Sequence, residues 1–220
     1  SSQSKMDSII KEELEDIKKT YANKRRTTIV KNAVGEFSAK DTIPNAPMIV
    51  ALTQGGYVKR LSPMQFRAQH RGGKGVRGMT TKEDDELASI LHVMNHDDLL
   101  FFTNTGRVFK VPAFELPQGS RVAKGQAIVN LLQLQPEEFV AAILKADPED
   151  NKYLFMVTRN GTVKRTEITQ FENIRRNGLI AQKVPKGDEL RWVVATNGTN
   201  EVMLLSKKGK AIRFKEEDVR

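Results

Sequence analysis

Hydrophobic positions near the N-terminus recur at helical spacing. The apolar residues lie at steps of four, four, three and four, which places them on one helical face: Met6, Ile10, Leu14, Ile17 and Tyr21. Ser4 and Asp7 form an S-x-x-D capping pattern near its start. The spacing therefore predicts a helix over residues 4–22, within an N-terminal segment 1–26. We expect this helix either to pack on its own domain or to be the tail of a longer coiled coil.

After residue 26 the pattern changes to short apolar runs typical of β-strands. Four segments each join an apolar run, a polar turn containing glycine and a second short strand bearing Lys or Arg, which predicts β-hairpins: residues 49–66, 100–116, 154–171 and 203–219. The aligned turn glycines are separated by 50, 55 and 48 residues: Gly56, Gly106, Gly161 and Gly209. The regular spacing indicates four copies of one unit.

A second glycine recurs inside these units. Gly75, Gly125 and Gly178 follow the first three turn glycines by 19, 19 and 17 residues. Further strand candidates separate the units: residues 87–94, 139–146 and 190–196. About four strands in about 50 residues is typical of propeller blades. We predict an all-β fold, a β-propeller or β-pinwheel over residues 27–220, preceded by a short α-helix. A WD40 propeller is disfavoured because the single tryptophan is not part of a repeated Trp-Asp pair.

Composition narrows the possible partners. The chain has 220 residues, a formal net charge of +9 and no cysteine, which excludes disulfides and thiolate metal sites and suits a cytosolic protein. No run of about 18 apolar residues indicates a transmembrane helix, so we predict no membrane association. A balance this basic favours a polyanionic partner such as nucleic acid.

The basic residues concentrate at equivalent positions of the units, whereas acids cluster elsewhere. A radial array would place these positions along one rim as a basic belt. Such a belt can neutralise successive phosphates of duplex DNA. No recognition helix or repeated aromatic platform indicates base reading. Solvated hairpin tips are the alternative interpretation. The predicted belt comprises Lys59, Arg60, Arg67, Arg77, Arg107, Lys110, Arg121, Lys124, Lys164, Arg165, Arg175, Arg176, Lys210 and Arg213.

Other chemistries fit the chain poorly. Residues 73–78 match G-x-G-x-x-G, and Asp98 lies 20 residues further on, but a dinucleotide site needs a preceding strand and a following helix. A P-loop needs Ser or Thr after its lysine, where this chain has glycine. His92 and His96 have a zinc-like spacing of four, yet histidines at strand ends are more often structural. We predict a non-catalytic segment without a cofactor or a metal site.

One stretch resembles a known family. "QHRGGKG" at residues 69–75 resembles the gyrase A box, whose pattern is Q-R-R-G-G-K/R-G, and "GYVKRL" and "VTRNGTVKRT" are similar to the repeated hairpins of the DNA gyrase A C-terminal domain. The box distinguishes gyrase from topoisomerase IV. The resemblance covers residues 27–220, and the N-terminal helix resembles the end of the preceding coiled coil. The implied DNA-binding box residues are Gln69, His70, Arg71, Gly72, Gly73, Lys74 and Gly75.

The resemblance implies a six-bladed pinwheel that wraps double-stranded DNA with positive handedness and whose box joins the first blade to the last. It implies a cytoplasmic, nucleoid-associated heterotetramer of gyrase A and B subunits, which uses ATP and Mg²⁺ outside this segment to introduce negative supercoils. The catalytic tyrosine would lie upstream. His70 replaces a family arginine, and about four of six blades are present; we expect a fragment, with a short propeller as the alternative. Rival functions are a topoisomerase IV counterpart that binds DNA without strong wrapping, and a non-catalytic interaction scaffold.

Overall fold

The computed structural model describes residues 2–24, 27, 39–66, 71–73, 75, 79, 85–149 and 151–219. The chain divides into two units, Ser1–Ser38 and Ala39–Arg220. Among the described residues, no helix combines the length and the apolar character needed to cross a membrane.

The predicted helix is present in the first unit. Helix α1 spans Gln3–Tyr21, and none of its residues is buried, so the apolar stripe faces solvent. The capping prediction is wrong: Ser2 is the N-cap residue, and it makes no side-chain capping hydrogen bond. The helix begins earlier than the pattern indicates, because the amide of Lys5 already donates to the carbonyl of Ser2. Ser4 and Asp7 therefore lie inside the first turns of the helix.

The second unit is built almost entirely of antiparallel strands, as predicted. It begins with a four-residue helix α2, Ala39–Thr42. The strands are β1 Pro47–Thr53, β2 Tyr57–Leu61, β3 Leu87–Met94, β4 Asp98–Thr103, β5 Arg107–Pro112, β6 Gln126–Ala127, β7 Val140–Lys145, β8 Tyr153–Thr158, β9 Val163–Glu167, β10 Leu179–Ile180, β11 Leu190–Thr196, β12 Glu201–Leu205 and β13 Ala211–Lys215. Each predicted glycine turn joins two of these strands in a hairpin.

The strands form four separate sheets, one for each predicted unit. Within the described residues, blade 1 has the order β3-β1-β2-β6, blade 2 the order β10-β5-β4-β7, blade 3 the order β11-β8-β9, and blade 4 contains β12 and β13. Strands β3, β7 and β11 contact one another in succession from blade to blade. They therefore form the inner edge of the array, and the hairpin strands β2, β5 and β9 lie towards the outer edge.

The fourth strand of a blade comes from the following unit, which the sequence did not predict. Strand β6 follows the second hairpin but pairs with β2, with Tyr57 opposite Ala127. Strand β10 follows the third hairpin but pairs with β5, with Val108 opposite Leu179. Each of these units thus contributes three long strands to its own blade and one short strand to the blade before it. We call the segments that lead into these short strands the return loops, residues 119–125 and 175–178.

Strand β4 explains why the apolar runs are continuous and not alternating. Leu99 and Phe101 belong to the core shared with blade 1, whereas Leu100 and Phe102 belong to the core shared with blade 3. All four side chains are fully buried, at 0% exposure. A strand covered on both faces needs apolar side chains on both. Stacking of successive blades therefore fixes the array and leaves the turns and outer strands free to carry charge.

Candidate nucleic-acid interface

A carboxylate holds each of the first three hairpin turns in place. Asp85 Oδ1 accepts a 2.7 Å hydrogen bond from the amide of Gly55 in the first turn, and Asp188 Oδ1 accepts one of 3.0 Å from the amide of Asn160 in the third. Each of these acids lies two residues before the third long strand of its blade. The acid therefore ties the hairpin tip to the next strand and fixes where the tip lies.

Glu138 plays this part in blade 2 with a denser network. Its carboxylate accepts hydrogen bonds from Thr103 Oγ1 and Thr105 Oγ1, both at 2.7 Å, from the amide of Gln135 at 2.8 Å, and from Arg107 Nη1 at 2.7 Å. Burial alone would raise the pKa of Glu138, but these hydrogen bonds and the charge of Arg107 outweigh it and hold the pKa below its ordinary value. Glu138 is thus a charged, saturated anchor.

The return loops share a backbone conformation with the box. Gly75, Gly125 and Gly178 have φ of +73°, +85° and +78°, a region that favours glycine. A Cβ on Gly125 would lie 2.5 Å from the carbonyl oxygen of Val58, and one on Gly178 would lie 3.0 Å from that of Val108. At Gly75, no described atom lies within 4 Å of the same position. The three glycines thus share one conformation, and the two in the return loops also allow the chain to approach a neighbouring strand closely.

The structure places two predicted belt residues in the interior of the blade 1 edge. Lys59 is 0% exposed, and burial lowers its pKa, so the prediction that Lys59 binds phosphate is wrong. Arg60 donates from Nε to the carbonyl of Leu116 at 2.8 Å and from Nη1 to Asn95 Oδ1 at 2.9 Å. Both cations are occupied by protein acceptors because their strand is covered by the segment that leads to β6.

Three further predicted contacts also bond to backbone carbonyls. Arg107 Nη2 donates to Asn177 at 2.5 Å, Lys110 Nζ to Glu172 at 2.5 Å, and Lys164 Nζ to Ala181 at 2.6 Å. Lys110 also lies 3.3 Å from Asp98 Oδ2, the carboxylate that the dinucleotide pattern singled out. These side chains stabilise the packing of the third unit's connecting segment, which the prediction of a continuous belt did not anticipate.

Other predicted cations lie at the surface with a local partner. Lys124 Nζ sits 4.0 Å above the ring centroid of Tyr57, and the guanidinium carbon of Arg165 lies 4.5 Å from that of Tyr153. Such cation-π contacts contribute about 0.5–1 kcal/mol at exposed sites. Arg213 forms an exposed ion pair of 3.1 Å with Glu201. These contacts orient the cations but are weak enough to be exchanged for a phosphate.

The remaining described cations of the predicted site are accessible and make no side-chain hydrogen bond or ion pair with a described residue. They lie in the box, the two return loops and the fourth hairpin turn: Arg71, Arg121, Arg175, Arg176 and Lys210. The structure thus concentrates accessible positive charge in loops that recur from unit to unit, and not along whole strands.

Part of the predicted site lies outside the described residues. This applies to three box positions and two belt positions: Gln69, His70, Lys74, Arg67 and Arg77. Gly72 and Gly73 are described and exposed. His96, one of the two histidines with a zinc-like spacing, places Nε2 at 2.7 Å from the carbonyl of Ile43. In the described part of the chain, no group of three or more His, Cys, Asp or Glu side chains is arranged to hold a metal ion.

The turn carboxylates are the functional feature that the sequence patterns did not reveal. Asp85, Glu138 and Asp188 count in the sequence only as charge away from the belt. The available signal is their constant position, two residues before the third long strand of each unit. The sequence patterns also gave no indication that the rings of Tyr57 and Tyr153 support cations.

Comparison with known proteins agrees with this architecture. The family model described as "DNA gyrase C-terminal domain, beta-propeller" matches residues 47–94, 97–147, 152–197 and 200–220. These four segments coincide with the three long strands of each of the first three units and with the strands of blade 4.

The chain is also similar to curated proteins named as the A subunit of DNA gyrase. It is 42% identical over 214 residues to that of Streptococcus pyogenes serotype M1, covering 96% of this chain and 26% of the relative. It is 40% identical over 219 residues to that of Clostridium acetobutylicum, covering 99% of this chain and again 26% of the relative. The chain therefore spans about a quarter of the length of these relatives.

Solved structures give the same result. The C-terminal domain of DNA topoisomerase IV aligns with a TM-score of 0.68 and 32% identity, over 81% of this chain and 54% of that one. A DNA gyrase A C-terminal domain aligns with a TM-score of 0.61 and 32% identity, over 79% and 56%. From four matched units and a shared fold, we conclude that the chain belongs to the DNA gyrase C-terminal domain, beta-propeller family.

Proposed function

We propose that this chain binds duplex DNA through its phosphate backbone and wraps it along the outer edge of the blades, as part of a DNA gyrase A protein. The observation that carries this proposal is the recurrence of accessible cations in equivalent loops. Arg71 lies in the box, Arg121 in the first return loop, and Arg175 and Arg176 in the second. Two of these loops lead into strands at the outer edge of the preceding blade.

A duplex backbone fits this arrangement better than single bases do. Cations spaced along loops neutralise phosphates and release counterions irrespective of sequence. The tyrosine rings nearest to them, Tyr57 and Tyr153, already lie under Lys124 and Arg165 and so are not open platforms for stacking bases. We expect binding with little sequence preference and an affinity that falls steeply with salt.

Wrapping follows from the placement of the loops on successive blades. A duplex that contacts one loop can reach the next only by following the perimeter of the array. Bending a site of 20–30 base pairs costs about 1–6 kcal/mol, which additional phosphate contacts must offset. Affinity should therefore rise with duplex length until the perimeter is filled.

The role within a larger assembly is part of the same proposal. Relatives of this chain are named as the A subunit of DNA gyrase, and we propose that the chain acts in the cytoplasm, on the nucleoid, within a complex of gyrase A and B subunits. There it would hold DNA in a positive wrap while other parts of the complex use ATP and Mg²⁺ to pass one segment through another. The chain itself would supply DNA binding and no catalytic group.

Ligation of a nicked circular plasmid in the presence of increasing amounts of the chain tests the proposal. A shift of the sealed topoisomers towards positive writhe would support chiral wrapping. The matched control is a variant in which Arg121, Arg175 and Arg176 are all replaced by Gln, which should give a smaller shift at equal protein concentration. Binding without any shift would instead favour the non-wrapping role of a topoisomerase IV counterpart. No binding at physiological salt would overturn the proposal and leave an interaction scaffold.

A further inference from the structure

Lys59 has an unusual environment for a residue in a basic protein edge. Its ammonium donates to three backbone carbonyls, those of Ser120 at 3.1 Å, Arg121 at 2.7 Å and Ala123 at 2.8 Å. A lysine ammonium has three donors and no acceptor, so its hydrogen-bonding capacity is met within the protein. All three acceptors belong to one return loop, residues 119–125, which comes from the following unit.

The loop closes tightly around the lysine side chain. A Cβ on Gly119 would lie 3.5 Å from Lys59 Cδ, and a Cβ on Gly125 would lie 3.3 Å from Lys59 Cβ. Gly125 also has a φ of +85°. The backbone path of the loop is therefore determined by one buried cation inside it and by close approach to strand β2 at its end.

The same loop carries two of the cations assigned to DNA. Arg121 contributes its carbonyl to the Lys59 ammonium, while its side chain is accessible. Lys124 follows Ala123 directly and lies above the ring of Tyr57. Because the carbonyls of Arg121 and Ala123 are held by one ammonium, the positions at which the two cations can meet a phosphate depend on Lys59.

The second blade solves the same problem with different residues. Phe109 occupies the position equivalent to Lys59, and its ring atom Cε1 would lie 3.0 Å from a Cβ on Gly178. Arg107 supplies the hydrogen bond, from Nη2 to the carbonyl of Asn177 at 2.5 Å. In both blades a cation from the outer strand holds a return loop that carries accessible cations. The contact is thus a recurrent requirement of the edge and not a local accident.

We propose that Lys59 is a positioning residue for DNA binding: it fixes the return loop so that Arg121 and Lys124 bind phosphates, and it does not contact DNA itself. This inference rests on the proposed function, because it assumes that the loop is part of the DNA interface. It differs from a direct contact in the number of phosphates that one substitution removes.

The test is the salt dependence of duplex binding by the chain and its variants. Each lost phosphate contact makes the slope of log K against log salt shallower by about 0.9. We expect Lys59→Met to make the slope shallower by about 1.8, as for the double variant R121Q/K124Q. Adding Lys59→Met to that double variant should change the slope no further. A direct contact by Lys59 would instead remove about 0.9 alone and would add to the effect of the double variant, which would overturn the inference.

Gly125→Ala provides a second route to the same prediction if Lys59→Met does not fold. Its Cβ would lie 2.5 Å from the carbonyl oxygen of Val58, so it displaces the loop while the ammonium stays. Circular dichroism and a thermal melt establish that each variant is folded before its slope is read. An unchanged slope for folded Gly125→Ala or Lys59→Met overturns the positioning role. If R121Q/K124Q itself leaves the slope unchanged, the loop is not part of the DNA interface, and the contacts assigned under the proposed function fail with it.

Discussion

Arg107 and Glu138 form an ion pair of 2.7 Å in which the carboxylate side chain is 0% exposed and the guanidinium side chain 16%. The pair links the start of strand β5 to the turn before strand β7. Arg107 Nη2 also reaches the carbonyl of Asn177 in the second return loop. One arginine thereby connects the hairpin of its own blade to the loop contributed by the next unit, so the stability of blade 2 and the position of a candidate DNA-binding loop are coupled.

Replacing Glu138 with Gln should destabilise the chain by about 3 kcal/mol, the usual cost of removing one partner of a buried ion pair. The neutral amide leaves Arg107 without its counter-charge and cannot accept all four hydrogen bonds. Urea unfolding followed by circular dichroism measures the loss. Glu137→Gln is the matched control, since this neighbour is exposed and the change should stay within about 0.5 kcal/mol. Equal losses for the two variants would contradict the role assigned to Glu138.

The same substitution should change the acid stability of the chain. The folded pKa of Glu138 lies below its ordinary value, so its contribution is present above the ordinary glutamate pKa of about 4.3 and is lost as pH falls through the folded pKa. The pKa values of Asp85 and Asp188 are lowered as well, so the parent chain should lose stability steadily below about pH 4.3. Glu138→Gln should show a smaller loss over that range. An identical pH profile would show that the folded pKa is not depressed.

Gly106→Ala should be far more costly than Gly161→Ala, although both glycines occupy equivalent turn positions with φ of +82° and +91°. A Cβ on Gly106 would lie 2.1 Å from the carbonyl oxygen of Gln182, whereas Gly161 has no described atom within 4 Å. Gly161→Ala should cost about 1–2 kcal/mol for the left-handed conformation alone. Gly106→Ala adds the displacement of the backbone beside β10. Thermal unfolding of both variants would refute the close approach if the two melting temperatures fell equally.

The sequence predicted the units of this fold because its signals are local. Turn glycines and apolar runs such as Leu99 to Phe102 repeat within each unit and depend only on neighbouring residues. The sharing of short strands between blades could not be predicted in this way. Strand β6 is only two residues long, too short for a periodic pattern, and its pairing with β2 joins Tyr57 to Ala127, which lie in different units of the chain.

The candidate site was predicted by residue type but not by environment. Lysine and arginine look alike in a sequence whether they face solvent or a covered carbonyl. Arg121 is accessible, whereas Lys59 is buried and holds that residue's own loop. The difference arises from the return loop that covers strand β2, a long-range contact. Any belt inferred from composition therefore mixes cations that hold the edge together with cations that can reach DNA.

These two classes of cation should separate in a DNA-binding experiment. Arg175 and Arg176 make no side-chain hydrogen bond or ion pair with a described residue, so R175Q/R176Q should make the slope of log K against log salt shallower by about 1.8. Because both side chains are exposed, the free energy of unfolding should change by less than about 0.5 kcal/mol. Fluorescence anisotropy with a labelled duplex over a salt series measures the slope.

Lys110→Gln is the matched comparison, since Lys110 donates to the carbonyl of Glu172 and forms an ion pair with Asp98. Loss of these contacts should lower the free energy of unfolding by about 1 kcal/mol and leave the salt slope unchanged. The reverse result, a shallower slope for Lys110→Gln with parental stability, would place Lys110 on the phosphate track. It would also show that the carbonyl contacts are given up when DNA binds, because a donor committed to Glu172 cannot release a counterion.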